Sequence, residues 1–176
     1  GNGGYDVNVY GGNSKMLTLG STFSGAGKLI VKQYSKVKVS GASSWTGNTE
    51  IDTGEFWLGS GGTFTSNSLV YLGNGGQMAN IAKLWIEAGG GSLTNPVIVN
   101  NGNASTRVIG GLNTSGTATY GGTLTLNGPV ELEANQSGGT VAFTGVISGG
   151  STLTKTGPGT VTLSGANTYS AGATVN

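Results

Sequence analysis

The tripeptides Phe56-Trp57-Leu58, Val70-Tyr71-Leu72, Leu84-Trp85-Ile86 and Ile98-Val99-Asn100 recur at a constant spacing, because they begin at residues 56, 70, 84 and 98. Glycine pairs keep the same phase at Gly61-Gly62, Gly75-Gly76 and Gly89-Gly90. Each tandem unit is typical of a strand, a Gly-rich turn and a weaker second strand, and the array spans about residues 54–109. This pattern predicts many short strands.

Outside the array, apolar residues alternate with polar ones. The clearest stretches are Lys36-Val-Lys-Val-Ser40, Val130-Glu-Leu-Glu-Ala134 and Thr160-Val-Thr-Leu-Ser164. Alternation places one set of side chains inward and the other outward, and a strand of this kind buries its apolar face by stacking on the next coil. We therefore expect an all-β fold, a parallel β-helix or β-solenoid with short strands and Gly-rich turns. An antiparallel β-sandwich is the alternative, because the spacing of the tandem units also suits hairpins.

A second, longer repeat joins the two ends of the chain. Residues 29–52 align without a gap on residues 153–176, with identities at Leu29 and Leu153, Val37 and Val161, and Ser40-Gly41-Ala42 and Ser164-Gly165-Ala166. We interpret residues 23–52 as a degenerate copy of the C-terminal segment.

Residues 143–176 carry a family resemblance. The run Leu153-Thr-Lys-Thr-Gly-Pro-Gly-Thr-Val-Thr-Leu-Ser-Gly-Ala-Asn-Thr-Tyr169 is similar to the autotransporter-associated β-strand repeat, also called the passenger-associated transport repeat. The resemblance implies a parallel β-helix in a secreted passenger, where the repeat aids export and folding of the stalk. It implies no catalytic residue and no cofactor.

The size of the chain suits one solenoid domain over residues 1–176, expected to be part of a longer array or assembly. At roughly 20 to 30 residues per turn, about six to nine coils are expected. The tandem unit is then half a turn; if it were instead a complete small turn, its aromatic residues would stack as one outward ladder.

Composition excludes several functions. The net charge is +1, so bulk electrostatics favours neither nucleic acid nor a membrane surface. Cysteine and histidine are both absent, which removes thiol nucleophiles, thiolate metal sites and the commonest general base. No apolar run approaches the roughly 20 residues of a membrane span. We predict no enzymatic activity, no metal site and no cofactor.

The candidate contact residues are aromatic and basic. Trp57, Tyr71 and Trp85 have the ring area to stack on a sugar or on another subunit, and Lys36 and Lys38 belong to the basic cluster of residues 28–38. The alternative for the aromatic residues is a ladder that only stiffens the solenoid, and the alternative for the lysines is a solvated strand face. The acid pairs Glu50 with Asp52 and Glu131 with Glu133 offer the single route to glycosidase chemistry, and we consider it weak.

The resemblance implies a passenger at the surface of a Gram-negative-type bacterium. Together with the missing catalytic residue types, it favours a non-catalytic extracellular structural protein, either a passenger stalk or a self-associating fibre subunit. The expected partners are a further stretch of passenger or other copies, joined end to end. An adhesin or glycan-binding module is the alternative, and a polysaccharide-degrading β-helix is less favoured.

Overall fold

The chain winds into stacked turns built from short strands. The computed structural model describes residues 4–11, 15–64, 68–74, 81–89, 91–102 and 106–176. Within these ranges there is no helix, and parallel strands form about 7 turns. The predicted β-solenoid is confirmed.

Each turn contributes strands to three faces. The first face is one seven-stranded sheet: Val7–Tyr10 (β1), Leu29–Lys32 (β4), Thr49–Ile51 (β7), Val70–Leu72 (β10), Val97–Val99 (β13), Leu124–Leu126 (β16) and Ile147–Gly149 (β19). The second face is one eight-stranded sheet: Met16–Leu19 (β2), Ser35–Val39 (β5), Gly54–Leu58 (β8), Ala82–Ile86 (β11), Arg107–Gly111 (β14), Val130–Ala134 (β17), Leu153–Thr156 (β20) and Ala173–Val175 (β22).

The third face consists of two shorter sheets. The first contains Phe23–Gly25 (β3), Ala42–Trp45 (β6) and Thr63–Phe64 (β9). The second contains Ser92–Leu93 (β12), Thr117–Tyr120 (β15), Thr140–Phe143 (β18) and Thr160–Leu163 (β21). The strands of all three faces pair in parallel, so the antiparallel sandwich is wrong.

Turn length varies along the stack. On the second face Lys36 pairs with Glu55, and Glu55 pairs with Lys83. The turn from Glu55 to Lys83 is therefore longer than the turn from Lys36 to Glu55. The predicted range of roughly 20 to 30 residues per turn describes most turns.

The tandem unit is half a turn. Trp57 and Trp85 are direct partners on β8 and β11, whereas Tyr71 lies on β10 of the first face. The alternative in which all three rings form one ladder is wrong, because successive units alternate between two faces. Gly75, Gly76 and Gly90 lie outside the described residues.

The long repeat does not join equivalent places. Leu29 begins a strand of the first face, and Leu153 begins a strand of the second. Val37 is likewise on the second face and Val161 on the third. The gap-free alignment of residues 23–52 with the C-terminal segment therefore pairs strands that differ by one face of the turn.

The inward rows form one continuous core. On the second face the inward residues Val37, Phe56, Leu84, Ile109 and Leu132 succeed one another in register, each at most 1% exposed. Successive coils therefore bury one another's apolar rows, as the alternation predicts. The corner between the third and first faces is tighter, since its glycines each pack onto backbone of the coil before. They are Gly27, Gly47, Gly122, Gly145 and Gly165.

Candidate interaction surface

Four of the five candidate contact residues lie on the second face, and three of them form one outer surface. Alternation on β5 turns Val37 and Val39 inward and leaves Lys36 and Lys38 half-buried outside. Register then places Trp57 beside Lys38 on the next strand. The fifth residue, Tyr71, is separate: it lies half-buried on the first face between neighbouring strands β7 and β13.

The lysines of this surface have acidic partners. Lys36 Nζ lies 3.2 Å from Glu55 and 5.9 Å from the ring centroid of Trp57. Trp57 Nε1 donates to the same Glu55 carboxylate at 3.0 Å. The three side chains therefore stabilise one another across two neighbouring strands, and the charge of Lys36 is largely balanced.

Lys38 reaches across two coils. Its Nζ lies 2.6 Å from Glu87 Oε2 and 2.9 Å from Oε1, although the two residues are 49 positions apart in sequence. Gly59 lies beneath the bridge, because a Cβ there would be 2.6 Å from Lys38 Cε. The absence of a side chain at residue 59 thus leaves room for this ion pair.

Trp85 is not an exposed ring. Its side chain is 3% exposed, and Lys83 Nζ lies 5.4 Å from the ring centroid. The ring lies against Gly110 of the next coil, where a Cβ would be 2.6 Å from the ring atom Cζ3. The interpretation of Trp85 as an outward stacking platform is therefore wrong: a glycine one coil later provides the space into which the ring folds.

The first acid pair is occupied by lysines. Glu50 is 9% exposed and lies 2.8 Å from Lys28 Nζ, while Asp52 lies 3.9 Å from Lys32 Nζ. Burial raises the pKa of the Asp52 carboxyl above its ordinary value; Lys32 opposes this rise and the Glu50 carboxylate adds to it. Their contacts make these acids part of an ion-pair ladder on the first face.

The second acid pair lies on the outer surface of β17. Glu131 and Glu133 are half-buried, and Glu133 accepts a hydrogen bond of 2.5 Å from Asn135 Nδ2. Glu131 lines a shallow recess of about 120 Å³ with Thr106, Arg107, Pro129, Val130 and Thr154. Within the described ranges no three acidic side chains lie close enough together to hold a metal ion.

One family matches part of the chain. The passenger-associated-transport-repeat family model matches residues 153–176. Residues 153–176 are similar to this repeat, and we call them the transport repeat below. No curated protein and no solved structure matches the chain. The described residues also include no helix long and apolar enough to cross a membrane.

The transport repeat supplies one turn of the solenoid. It starts with β20, passes through β21 and ends with β22, which pairs back on β20. Asn167 Oδ1 accepts a hydrogen bond of 2.9 Å from the Ile147 amide, which ties the repeat to the previous coil at the first face. Gly165 packs onto Gly145, with a Cβ position 2.2 Å from the Gly145 carbonyl oxygen.

The partners of the candidate residues could not be found from sequence patterns. Glu55 and Glu87 neutralise Lys36 and Lys38, and Gly59 and Gly110 make room for Lys38 and Trp85. Their separation along the chain hides these contacts. Glu55 lies opposite Lys36 because of the register between β5 and β8. No periodicity in the sequence indicates this register, so no sequence signal identifies Glu55 as the partner.

Proposed function

We propose that the chain is a stretch of a non-catalytic passenger stalk displayed at the surface of a Gram-negative-type bacterium. The observation that carries the proposal is the transport repeat at residues 153–176, stacked in register on the coil before it. A stalk requires a rigid repetitive rod, and continuous parallel ladders along two faces provide one.

The side-chain contacts support a structural role over a catalytic one. Glu50 and Asp52 are engaged by Lys28 and Lys32, and Glu133 by Asn135. A retaining or inverting glycosidase needs two carboxyl groups facing each other across a bound sugar. Glu131 and Glu133 instead stand side by side on one strand.

Export is tested in the full polypeptide that contains this chain. We expect an antibody against residues 153–176 to label intact cells and external protease to remove the signal. Gly165→Ala, which places a methyl group against the backbone of the previous coil, is expected to reduce the displayed amount, whereas Gly172→Ala, with nothing within 4 Å, leaves it unchanged. Labelling that appears only after the cells are lysed would contradict the proposal.

Catalysis is tested separately with the purified chain. Neutral and acidic polysaccharides are incubated with wild type, Glu50→Gln and Glu131→Gln, and reducing ends are measured. We expect no turnover by any of them. Turnover by wild type that Glu131→Gln abolishes would show an enzyme and overturn the non-catalytic assignment.

End-to-end association of copies is the second candidate, because a parallel ladder can be extended by pairing at its edge strands. Val7, Leu17 and Val175 lie on the edge strands β1, β2 and β22 and are 37%, 43% and 78% exposed. Sedimentation over a concentration series tests this association: growing oligomers that Val175→Lys abolishes support a fibre subunit, and a monomer at every concentration contradicts it.

A further inference from the structure

The outer surface of the third face differs from the other two. The described strands of this face contain no charged residue, whereas the first and second faces carry the ion pairs. Its outward positions are occupied by small side chains throughout: Ser24, Ala42, Ser44, Thr63, Ser92, Thr117, Thr119, Thr140, Ala142, Thr160 and Thr162. The outer surface of these strands carries no charge.

Every aromatic residue on these strands points the other way. Tyr120 and Phe143 are buried beneath the outer surface, with ring centroids 4.9 Å apart in a stacked arrangement. Phe23 and Trp45 stack in the same manner at 4.7 Å under the first of the two shorter sheets. The face thus has a rigid support and presents no ring to the outside.

Threonine dominates the second of the two shorter sheets and forms a grid there. Thr117, Thr140 and Thr160 are successive partners along the solenoid axis, and so are Thr119, Ala142 and Thr162. A third row follows through Thr94, Gly121, Thr144 and Ser164, which lie beside one another from coil to coil. The grid repeats at about 4.8 Å between coils and about 6.7 Å along each strand.

We infer that this threonine grid binds an ordered layer of water and, through it, the face of an ice crystal. Threonine is stiff at χ1, so hydroxyl and methyl groups stand at fixed intervals. Hydroxyls hold bridging waters and methyl groups restrict the orientation of their neighbours, so the grid arranges a water layer at its own two spacings. A growing lattice can accept such a layer.

Other occupants suit the surface less well. A protein interface of standard size needs about 800 Å² per partner with aromatic or Arg anchors, whereas the grid covers on the order of 200 Å² without them. Sugar polymers are usually bound by stacking on aromatic rings, which on this face all lie inside. A charged polymer has no counter-charge on these strands. The inference is independent of the proposed stalk function.

Ice recrystallisation measured with the purified chain tests this inference, with serum albumin at equal concentration as the inert protein. We expect the chain to slow crystal coarsening and to be captured by slowly growing ice. Thr140→Tyr raises a ring from the middle of the grid and should increase the concentration required by about tenfold. Thr125→Tyr, at a half-buried outward threonine of the first face, should leave it unchanged.

Circular dichroism and unfolding midpoints first establish that both variants are folded. Behaviour equal to albumin overturns the inference, and so does an equal loss of activity in both variants. A dimer in sedimentation that Thr140→Tyr dissociates would identify a second copy as the occupant. Retention on cellulose or chitin that Thr140→Tyr abolishes would identify a neutral polysaccharide, and either result overturns ice binding.

Discussion

Gly145 stacks directly on Gly122, since a Cβ built on Gly145 would lie 2.0 Å from the Gly122 carbonyl oxygen. A Cβ built on Gly122 would in turn lie 2.1 Å from the Asn95 carbonyl oxygen. Backbone cannot yield to a methyl group as a flexible side chain does. The corner between the third and first faces therefore depends on glycine for its coil spacing.

Gly145→Ala is expected to lower the free energy of unfolding by about 1–3 kcal/mol, the usual effect of overpacking. Gly172→Ala is the matched control, because its Cβ would meet nothing within 4 Å. The control should change stability by about 0.5 kcal/mol or less. Urea denaturation of both variants measures the difference, and equal effects would show that the corner is not closely stacked.

The buried hydroxyl of Tyr120 provides a second test. It lies 2.7 Å from the Gly110 carbonyl oxygen and 3.1 Å from that of Leu84, and desolvation raises the pKa of this phenol above its ordinary value. Tyr120→Phe is expected to lower stability by about 1–2 kcal/mol, since buried carbonyl groups lose a donor.

Tyr169→Phe in the half-buried ring of the transport repeat is the control for Tyr120 and should be near neutral. Both variants are compared by urea denaturation at neutral pH. A stability loss of the same size at residues 120 and 169 would mean that the inner hydroxyl makes no special contribution.

The raised pKa of Asp52 predicts an unusual pH dependence of folding stability. Its folded pKa is raised, so its contribution favours folding fully below the ordinary pKa of about 3.9 and is lost as pH rises through the folded value. Asp52→Asn should therefore be more stable than wild type at neutral pH. This difference in stability should shrink as the pH falls below the ordinary pKa of an aspartate carboxyl. Unfolding measured at pH values on both sides checks the sign. A variant less stable at neutral pH would show that the Lys32 interaction outweighs burial.

The Lys38 to Glu87 pair should couple weakly. A double-mutant cycle with Lys38→Met and Glu87→Gln is expected to give about 0.5 kcal/mol, typical of partly exposed ion pairs. The coupling should fall in high salt, because screening reaches such pairs. A coupling energy indistinguishable from zero at low salt would mean that the ion pair does not explain why residue 59 is glycine.

The residues that alternate were predicted correctly, because alternation is a property of one strand. Val37 and Val39 point inward and Lys36 and Lys38 outward, as the sequence indicates. What lies one coil away could not be predicted, since turn length varies. Trp85 is buried through Gly110 and Lys38 is paired with Glu87, and no periodicity in the sequence indicates either contact.

The gap-free long repeat pairs strands that lie on different faces. The alignment compares residue identities, whereas the fold places Val37 on the second face and Val161 on the third. The neutral third face could have been found from sequence by noting Thr117-Ala-Thr-Tyr, Thr140-Val-Ala-Phe and Thr160-Val-Thr-Leu. Their common pattern places threonine or alanine outside and apolar or aromatic residues inside.

A disulfide trap tests most directly whether the transport repeat stacks in parallel register on the preceding coil. The chain has no cysteine, and Glu131 pairs with Thr154 on the outer surface of the second face. Cα atoms of such partners lie about 4.8 Å apart, within disulfide reach, whereas Glu131 and Thr156 lie about 8 Å apart, beyond it. We predict that Glu131→Cys with Thr154→Cys oxidises to a disulfide in the folded chain and that Glu131→Cys with Thr156→Cys does not. Efficient bonding of the second pair and not the first would contradict this register.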